Sequence, residues 1–366
     1  MTQIYAYGSN GNGQLGVGHQ LDVSTPKNVL IDIADDVQPI AIRAGGNHTL
    51  ILTSDGQLYS SGDPSKGARG LTPPEGFEKN KFTPVILSAA DEPPLQVTLC
   101  AATWEASIIV AKDARGQSTR LYTLGTGEKG ELGQGQLIFR SAKAGLISNF
   151  PPPGTEIVGL AASMGHAVAI LDNGDVYGWG NGRKGQLGEP AAVVYEPRKI
   201  AHDLIHPSVT CGKDFTLLAV EATGDYTLVG SDKHGIVKTL PAPVSATFGD
   251  FQAGWGSVTV LMGDGSLRSG GRGDHGQLAP ANIPKISKIA VGSEHTIALS
   301  EDGKAWKVLA WGWGEHGNCG PFKGDGDVRE PNTIASSEYM RKELKLSVSL
   351  IACGCATSFI CVRGGV

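Results

Sequence analysis

Trp311-Gly312-Trp313-Gly314-Glu315-His316-Gly317-Asn318-Cys319-Gly320 is the stretch whose reading decides the fold. It is one of seven versions of a single pattern: a short apolar run, a Gly, four residues and a second Gly. The first Gly falls at 8, 62, 125, 180, 230, 271 and 312, and the second at 13, 67, 130, 185, 235, 276 and 317. Recurrence at one fixed offset marks a repeat architecture, in which each unit buries its apolar face against its neighbours.

Outward from each copy the same order of segments returns. Ala290-Val291-Gly292-Ser293-Glu294-His295, a strand-like run and Asp302-Gly303 lead into the last copy. Val158 to Ala162, Gly165-His166, Val168 to Leu171 and Asn173-Gly174 lead into Val176-Tyr177-Gly178-Trp179. Apolar runs bounded by Asp-Gly or Asn-Gly read as antiparallel hairpins. Three or four such strands per unit, with copies 41 residues (271 to 312) to 63 residues (62 to 125) apart, describe a propeller blade. Pro follows Thr or Glu at Thr25-Pro26, Thr83-Pro84, Glu196-Pro197 and Glu330-Pro331. There it opens an outermost strand, whose free side needs no N–H donor.

The chain starts with the late part of a unit, Ile4 to Gly16, and ends with the early part, Leu350 to Gly354 and Ser358 to Val362. Together they complete one blade, and a ring closed this way leaves no open sheet edge at its ends. The expected fold is therefore all-β: a seven-bladed β-propeller forming a single domain over residues 1–366. Two segments depart from the plan. Gly135 to Gly154, with Phe150-Pro151-Pro152-Pro153, reads as a surface loop, and Lys304-Ala305-Trp306-Lys307 lengthens the hairpin before the last copy. Both are expected to serve binding more than stability.

Gly is 52 of 366 residues, about double the usual share, and the surplus sits largely at repeat turns. The net charge of −5 gives no bulk support for a basic nucleic-acid or histone-binding face. The six cysteines lack framework spacing, no signal peptide opens the chain, and no apolar run approaches a membrane span. A reducing, cytoplasmic compartment is expected, with the nucleus as a second location and the cysteines as free thiols.

Five copies read G-x-G-x-x-G, beginning at Gly11, Gly125, Gly180, Gly271 and Gly312. A dinucleotide site needs one such loop opening a helix, so these are read as tight turns and no cofactor is expected. His48, His166 and His295 share one repeat position and therefore spread around the ring. They are read as structural, each bonding its side chain to neighbouring backbone, and no metal site is assigned. Cys353, Cys355 and Cys361 lack the paired spacing of a zinc ribbon. No nucleophile elbow, metalloprotease helix or phosphate loop appears, so no catalytic residue is assigned. An enzyme with a site of another kind stays open.

Comparison between repeats singles out other residues. After the first Gly stand Ser9, Asp63, Thr126, Asn181, Ser231, Arg272 and then Trp313. Two after the second Gly, Leu15, Leu132, Leu187 and Leu278 read as wedges between blades, and the last copy has Cys319. In the Gly-x-x-His turn, Trp104 and Trp255 replace Asn47 and Gly46 of the first unit, and Glu294 and Asp214 are acidic. Large aromatics in turns that elsewhere hold small polar residues point to a partner. The candidate partner-binding residues are Trp104, Glu105, Trp255, Glu294, Trp313, Glu315, His316 and Asn318.

The unit (strand, Gly-x-x-His, strand, Asp-Gly, strand, Gly-x4-Gly-Gln-Leu-Gly) resembles the regulator-of-chromosome-condensation repeat over the whole chain. Tyr5 to Gly11, Gly292 to His295, Trp311 to Gly320 and Gly354 to Thr357 are more specifically similar to the fungal killer-toxin-insensitivity, or alpha-tubulin suppressor, propellers. That resemblance implies a non-enzymatic subunit paired as a heterodimer with a small acidic zinc-ribbon protein that binds iron and donates electrons. It further implies roles in diphthamide biosynthesis on elongation factor two and in Elongator-dependent tRNA wobble-uridine modification. Contact with Elongator and the diphthamide enzymes would run through the partner, with no direct nucleic-acid or membrane binding. The founding propeller of the repeat family implies the alternative, guanine-nucleotide exchange on a small GTPase.

Overall fold

The second strand of three blades is buried at every residue: His48–Thr53, Ala106–Ala111 and His166–Leu171. Such strands have both faces covered, as they must where one sheet stacks on the next around a ring. The outer strands Val23–Asn28 and Arg140–Leu146 are instead largely open to water. The computed structural model describes residues 2–70, 80–87, 95–201, 207–220, 223–240, 248–303, 305–324, 326–340 and 346–364.

Among the described residues the strands form seven antiparallel sheets, five of four strands and two of three. Blades one to six cover residues 39–84, 97–146, 157–201, 207–239, 248–271 and 288–336. Blade seven pairs Thr2–Gly8 with Thr357–Gly364 over seven aligned residues, from Thr2 opposite Arg363 to Gly8 opposite Thr357. Leu346–Cys353 and Val23–Asn28 complete it on either side. The expected shared blade is thus present. Among the described residues, blade four carries the short helix Ile236–Thr239 after its third strand.

The apolar core lies between blades. One buried cluster joins Ile108 and Val110 of blade two to Val168 and Trp179 of blade three. Others join Ala310 to Ile360, Phe359 to Ile51, and Leu52 to Ile109 around the ring. Leu15, Leu132, Leu187 and Cys319 are fully buried, as wedges between blades require, while Leu278 is half-buried. The indole N–H groups of Trp179 and Trp311 donate to the carbonyls of Glu131 and Gln277 in the preceding blade (3.0 and 3.3 Å). Tyr7 does the same to Ile334 at 2.8 Å.

Pro26, Pro84, Pro197 and Pro331 all lie in outermost strands. Pro26, Pro197 and Pro331 fall inside the strands, where the pairing register shifts, instead of opening them. A bulge releases the residue that cannot donate. The two departing segments prove more structural than expected. Residues 140–146 are the outer strand of blade two, and Phe150 is buried with its ring 5.0 Å from Tyr177. Trp306 is also buried and donates to the Leu346 carbonyl at 2.8 Å. Apolar bulk made available by a longer hairpin went into the core; Lys304 lies outside the described residues.

Candidate functional site

Two loops of every blade meet on one face of the ring, here called the upper face. The residue after the first Gly donates its N–H to a carbonyl in the blade's Gly-x-x-His turn. The pairs are Ser9 to Ala356, Asp63 to Asn47, Thr126 to Glu105, Asn181 to Gly165, Ser231 to Asp214, Arg272 to Gly256 and Trp313 to Glu294, at 2.7–3.0 Å. The first Gly of each pair has φ between 103° and 118°, and an added Cβ would press into that same carbonyl oxygen. Glycine is therefore the residue that lets both loops close, and the dinucleotide-like spelling follows from this geometry.

The three repeat histidines form a relay between blades. His48 Nε2 lies 3.0 Å from Ser107 Oγ, His166 Nε2 3.0 Å from Thr216 Oγ1 and His295 Nε2 2.8 Å from Ser358 Oγ. Each hydroxyl belongs to the next blade and donates back to Ala68, Gln186 or Asn318 carbonyl. The histidines are structural, but their partners are hydroxyl side chains that pass the bond on to backbone, a step further than the direct backbone contact expected. Burial pulls all three imidazoles down from 6.5 to about 4, so they are neutral near pH 7.

The sequence-selected residues divide by depth. Trp104 and Trp255 both occupy the turn position of Gly46, not two adjacent positions: in each turn the preceding residue is bonded to the residue three later. Their rings meet with centroids 5.8 Å apart, and both line the mouth of a central channel of about 340 Å3. Successive turns are tied by Trp104 N–H to Met164 carbonyl (3.0 Å) and Trp255 N–H to Ser293 carbonyl (2.8 Å). Glu105 sits beside Lys66 at 3.3 Å. Trp313 stacks on His275 (5.8 Å, 27°) and meets the edge of His316 (6.3 Å). Asp327 and Asp22 hold those two imidazoles by Nδ1 at 2.8 Å. Glu315 is exposed.

Two selected residues are held in buried contacts within the chain. Asn318 is fully buried and donates to the Trp313 carbonyl at 2.8 Å, closing its own loop. Glu294 is 5 % exposed, and its two oxygens accept from Arg272 and Gln277 at 2.7 Å each. Both were picked for polarity where a buried loop closure also demands polarity.

Lys213, Lys233, His234 and His275 escaped selection, yet they line a pocket of about 270 Å3 with Trp255 and Trp313. A second pocket, about 230 Å3, holds Trp104, Glu105, Glu128, Lys129 and Glu131, and shares the Lys213-Asp214 turn. A signal existed in the residue before each second Gly: Asn12, Lys66, Lys129, Lys184, His234, His275 and His316. Six of those seven are basic residue types, a column invisible in bulk charge.

No group of three His, Cys, Asp or Glu side chains among the described residues could hold a metal ion. Burial raises Cys100 to about 11 and Cys211, Cys353 and Cys361 to about 12, far from the thiolate form.

Seven closed blades with both repeat loops gathered on one face place the chain in the RCC1-like domain family, whose pattern it matches over residues 3–360. It is similar to an RCC1 repeat-containing protein of Schizosaccharomyces pombe, 32% identical over 376 aligned positions that cover 98% of this chain and 99% of that one. It is also similar to the secretion-regulating guanine nucleotide exchange factor of Mus musculus, at 27% identity over 87% of this chain and 75% of that protein. Among solved structures, Prp20p of Saccharomyces cerevisiae superposes with a TM-score of 0.84 at 21% identity, covering 100% of this chain and 92% of that one. Human WBSCR16 gives 0.78 at 16% identity, with full coverage of both. At these two identities the likeness is one of fold.

Proposed function

We propose that this chain is a non-enzymatic adaptor that holds a protein partner on its upper face. One observation carries the reading: Trp104, Trp255 and Trp313 lie half-buried on that face, while the other three tryptophans, Trp179, Trp306 and Trp311, are in the core. Half-buried indoles propped by neighbouring rings supply contact area at little further ordering cost. The resemblance of Trp311 to Gly320 and the related blocks supports the partner's identity: a small acidic zinc-ribbon electron carrier, bound as a heterodimer. On this reading the pair works in the cytoplasm and nucleus, in diphthamide biosynthesis and Elongator-dependent tRNA modification.

Affinity purification of the chain from its native cell tests the partner, with a zinc-ribbon protein expected at one to one. Its absence from the purified material would remove this partner. With the purified pair, Trp313→Ala is expected to weaken the complex by about 2 kcal/mol or more in a calorimetric titration. Unchanged affinity would take Trp313 out of the interface.

The second reading, guanine-nucleotide exchange on a small GTPase, is favoured by the similarity to the mouse exchange factor. Faster nucleotide release at catalytic amounts of this chain would establish it in place of the adaptor reading.

A further inference from the structure

The pocket between blades four, five and six has a charge pattern that selects its occupant. Three of its surrounding carboxylates are already used within the chain. Asp232 accepts the backbone N–H groups of Ile236 and Val237 (2.5 and 3.2 Å). Asp274 and Glu294 pinch Arg272 at 2.7 Å each, and Gln277 takes the other oxygen of Glu294. Arg272 is thereby neutralised in place. Lys213 and Lys233 remain, both exposed at the rim, and neither makes an ion pair with a described residue. Lys213 Nζ lies 5.4 Å from the centre of the Trp255 ring, which holds the ammonium group over the pocket. Against these two cations stands Asp214 alone, with no side-chain hydrogen bond among the described residues.

The walls are aromatic. Trp255 and Trp313 flank the pocket with His234 and His275 between them in the lining. His275 is fixed by Asp327 and stacked on Trp313, so this wall is built before anything binds. The His234 ring lies against Gly256, where an added Cβ would come within 3.0 Å of it. Its pKa is lowered by burial, Lys233 and Arg272, so near pH 7 it offers a neutral hydrogen-bonding edge. A volume of about 270 Å3 suits one or two side chains. A nucleic-acid backbone crossing this face would meet Glu105, Glu128 and Glu131 in the adjoining pocket.

We propose that this pocket recognises an acidic peptide segment with an interleaved aromatic residue. Its carboxylates meet Lys213 and Lys233, and its ring lies against Trp255 or Trp313. The inference rests on the reading of the upper face as a protein-binding face, and adds the chemistry of what that face accepts.

The test titrates the full chain, by calorimetry and indole fluorescence, with acetyl-Glu-Phe-Asp-Phe-Glu-amide and with acetyl-Gln-Phe-Asn-Phe-Gln-amide. The acidic peptide is expected to bind about 10-fold more tightly than the neutral one, the upper range for two ion pairs formed at an exposed rim. Lys213→Glu with Lys233→Glu should remove that preference. Arg183→Glu with Lys184→Glu, the same charge change on the same face but outside both pockets, should leave it within about two-fold once salt-screened long-range effects are allowed for. All four sites are exposed, and circular dichroism checks that both double variants are folded. Equal binding of the two peptides, or equal losses in the two double variants, overturns the proposal. If Trp313→Ala weakens the native complex while the peptides bind equally, the face stands and the pocket chemistry falls. If the peptides discriminate as expected while Trp313→Ala leaves the native complex intact, the pocket stands and the wider reading of the face falls.

Discussion

Lowering the pH from about 7.5 to about 4.5 is expected to unfold the propeller, because three neutral imidazoles are built into its blade contacts. His48, His166 and His295 titrate at 6.5 when exposed and near 4 when folded. Between those values the unfolded chain binds more protons than the folded one. The contribution is therefore complete above pH 6.5 and is lost as the pH falls towards 4. Each imidazole accounts for about 3 kcal/mol, on the order of 10 kcal/mol together, which rivals the whole stability of a typical domain. The cost lies in the buried charge and not in the relay: Ser107, Thr216 and Ser358 give their protons to carbonyls, so Nε2 donates to them in the neutral and the charged ring alike. Urea unfolding at stepped pH checks the loss, and NMR titration of the histidine ring protons assigns it. Three relay imidazoles titrating near 6.5 in the folded state would contradict the account.

Trp311→Ala is the second large effect. Its ring is fully buried between blades five and six and its N–H satisfies the Gln277 carbonyl. Truncation leaves a cavity and an unpaired buried oxygen, at a cost of about 3–5 kcal/mol. Trp313→Ala, two residues on, is expected to cost under about 1 kcal/mol, because its ring packs on half-exposed imidazoles at the surface. Equilibrium denaturation of the two variants separates them. Equal losses would mean that the two indoles have been given the wrong roles.

That contrast also marks how far the sequence could be read. The glycines at 8, 62, 125, 180, 230, 271 and 312 carried the blade count, because each has a backbone angle and a facing carbonyl that exclude other residues. Ring closure was legible for the same reason, since the two chain ends supply complementary halves of one unit. The roles of Trp311 and Trp313 were not. Residues two apart on a regular strand point the same way, but Gly312 at φ 108° turns the chain between them. One indole goes between blades and the other to the upper face. Polar positions were equally ambiguous. Asn318 and Glu294 looked available, yet one closes its loop and the other anchors Arg272. Phe150 and Trp306 sat in segments that broke the repeat spacing, and packing recruited both. The cationic rim of the pocket was missed because Lys213 and Lys233 come from two turns of blade four, which its strand pairing and the Ser231 N–H to Asp214 carbonyl bond bring together.

The central claim is that the Gly-x-x-His turns and the Gly-x4-Gly loops form the binding face. Amide hydrogen exchange of the chain, alone and in its natively purified complex, tests it most directly. Slower exchange is expected at residues 104–105, 213–214, 231–234, 255–256, 272–275 and 313–316, all on the upper-face loops. Exchange at the opposite hairpins, Asp55-Gly56, Asn173-Gly174 and Asp264-Gly265, is expected to stay unchanged. Protection confined to those hairpins, with the upper loops unaffected, would contradict the claim.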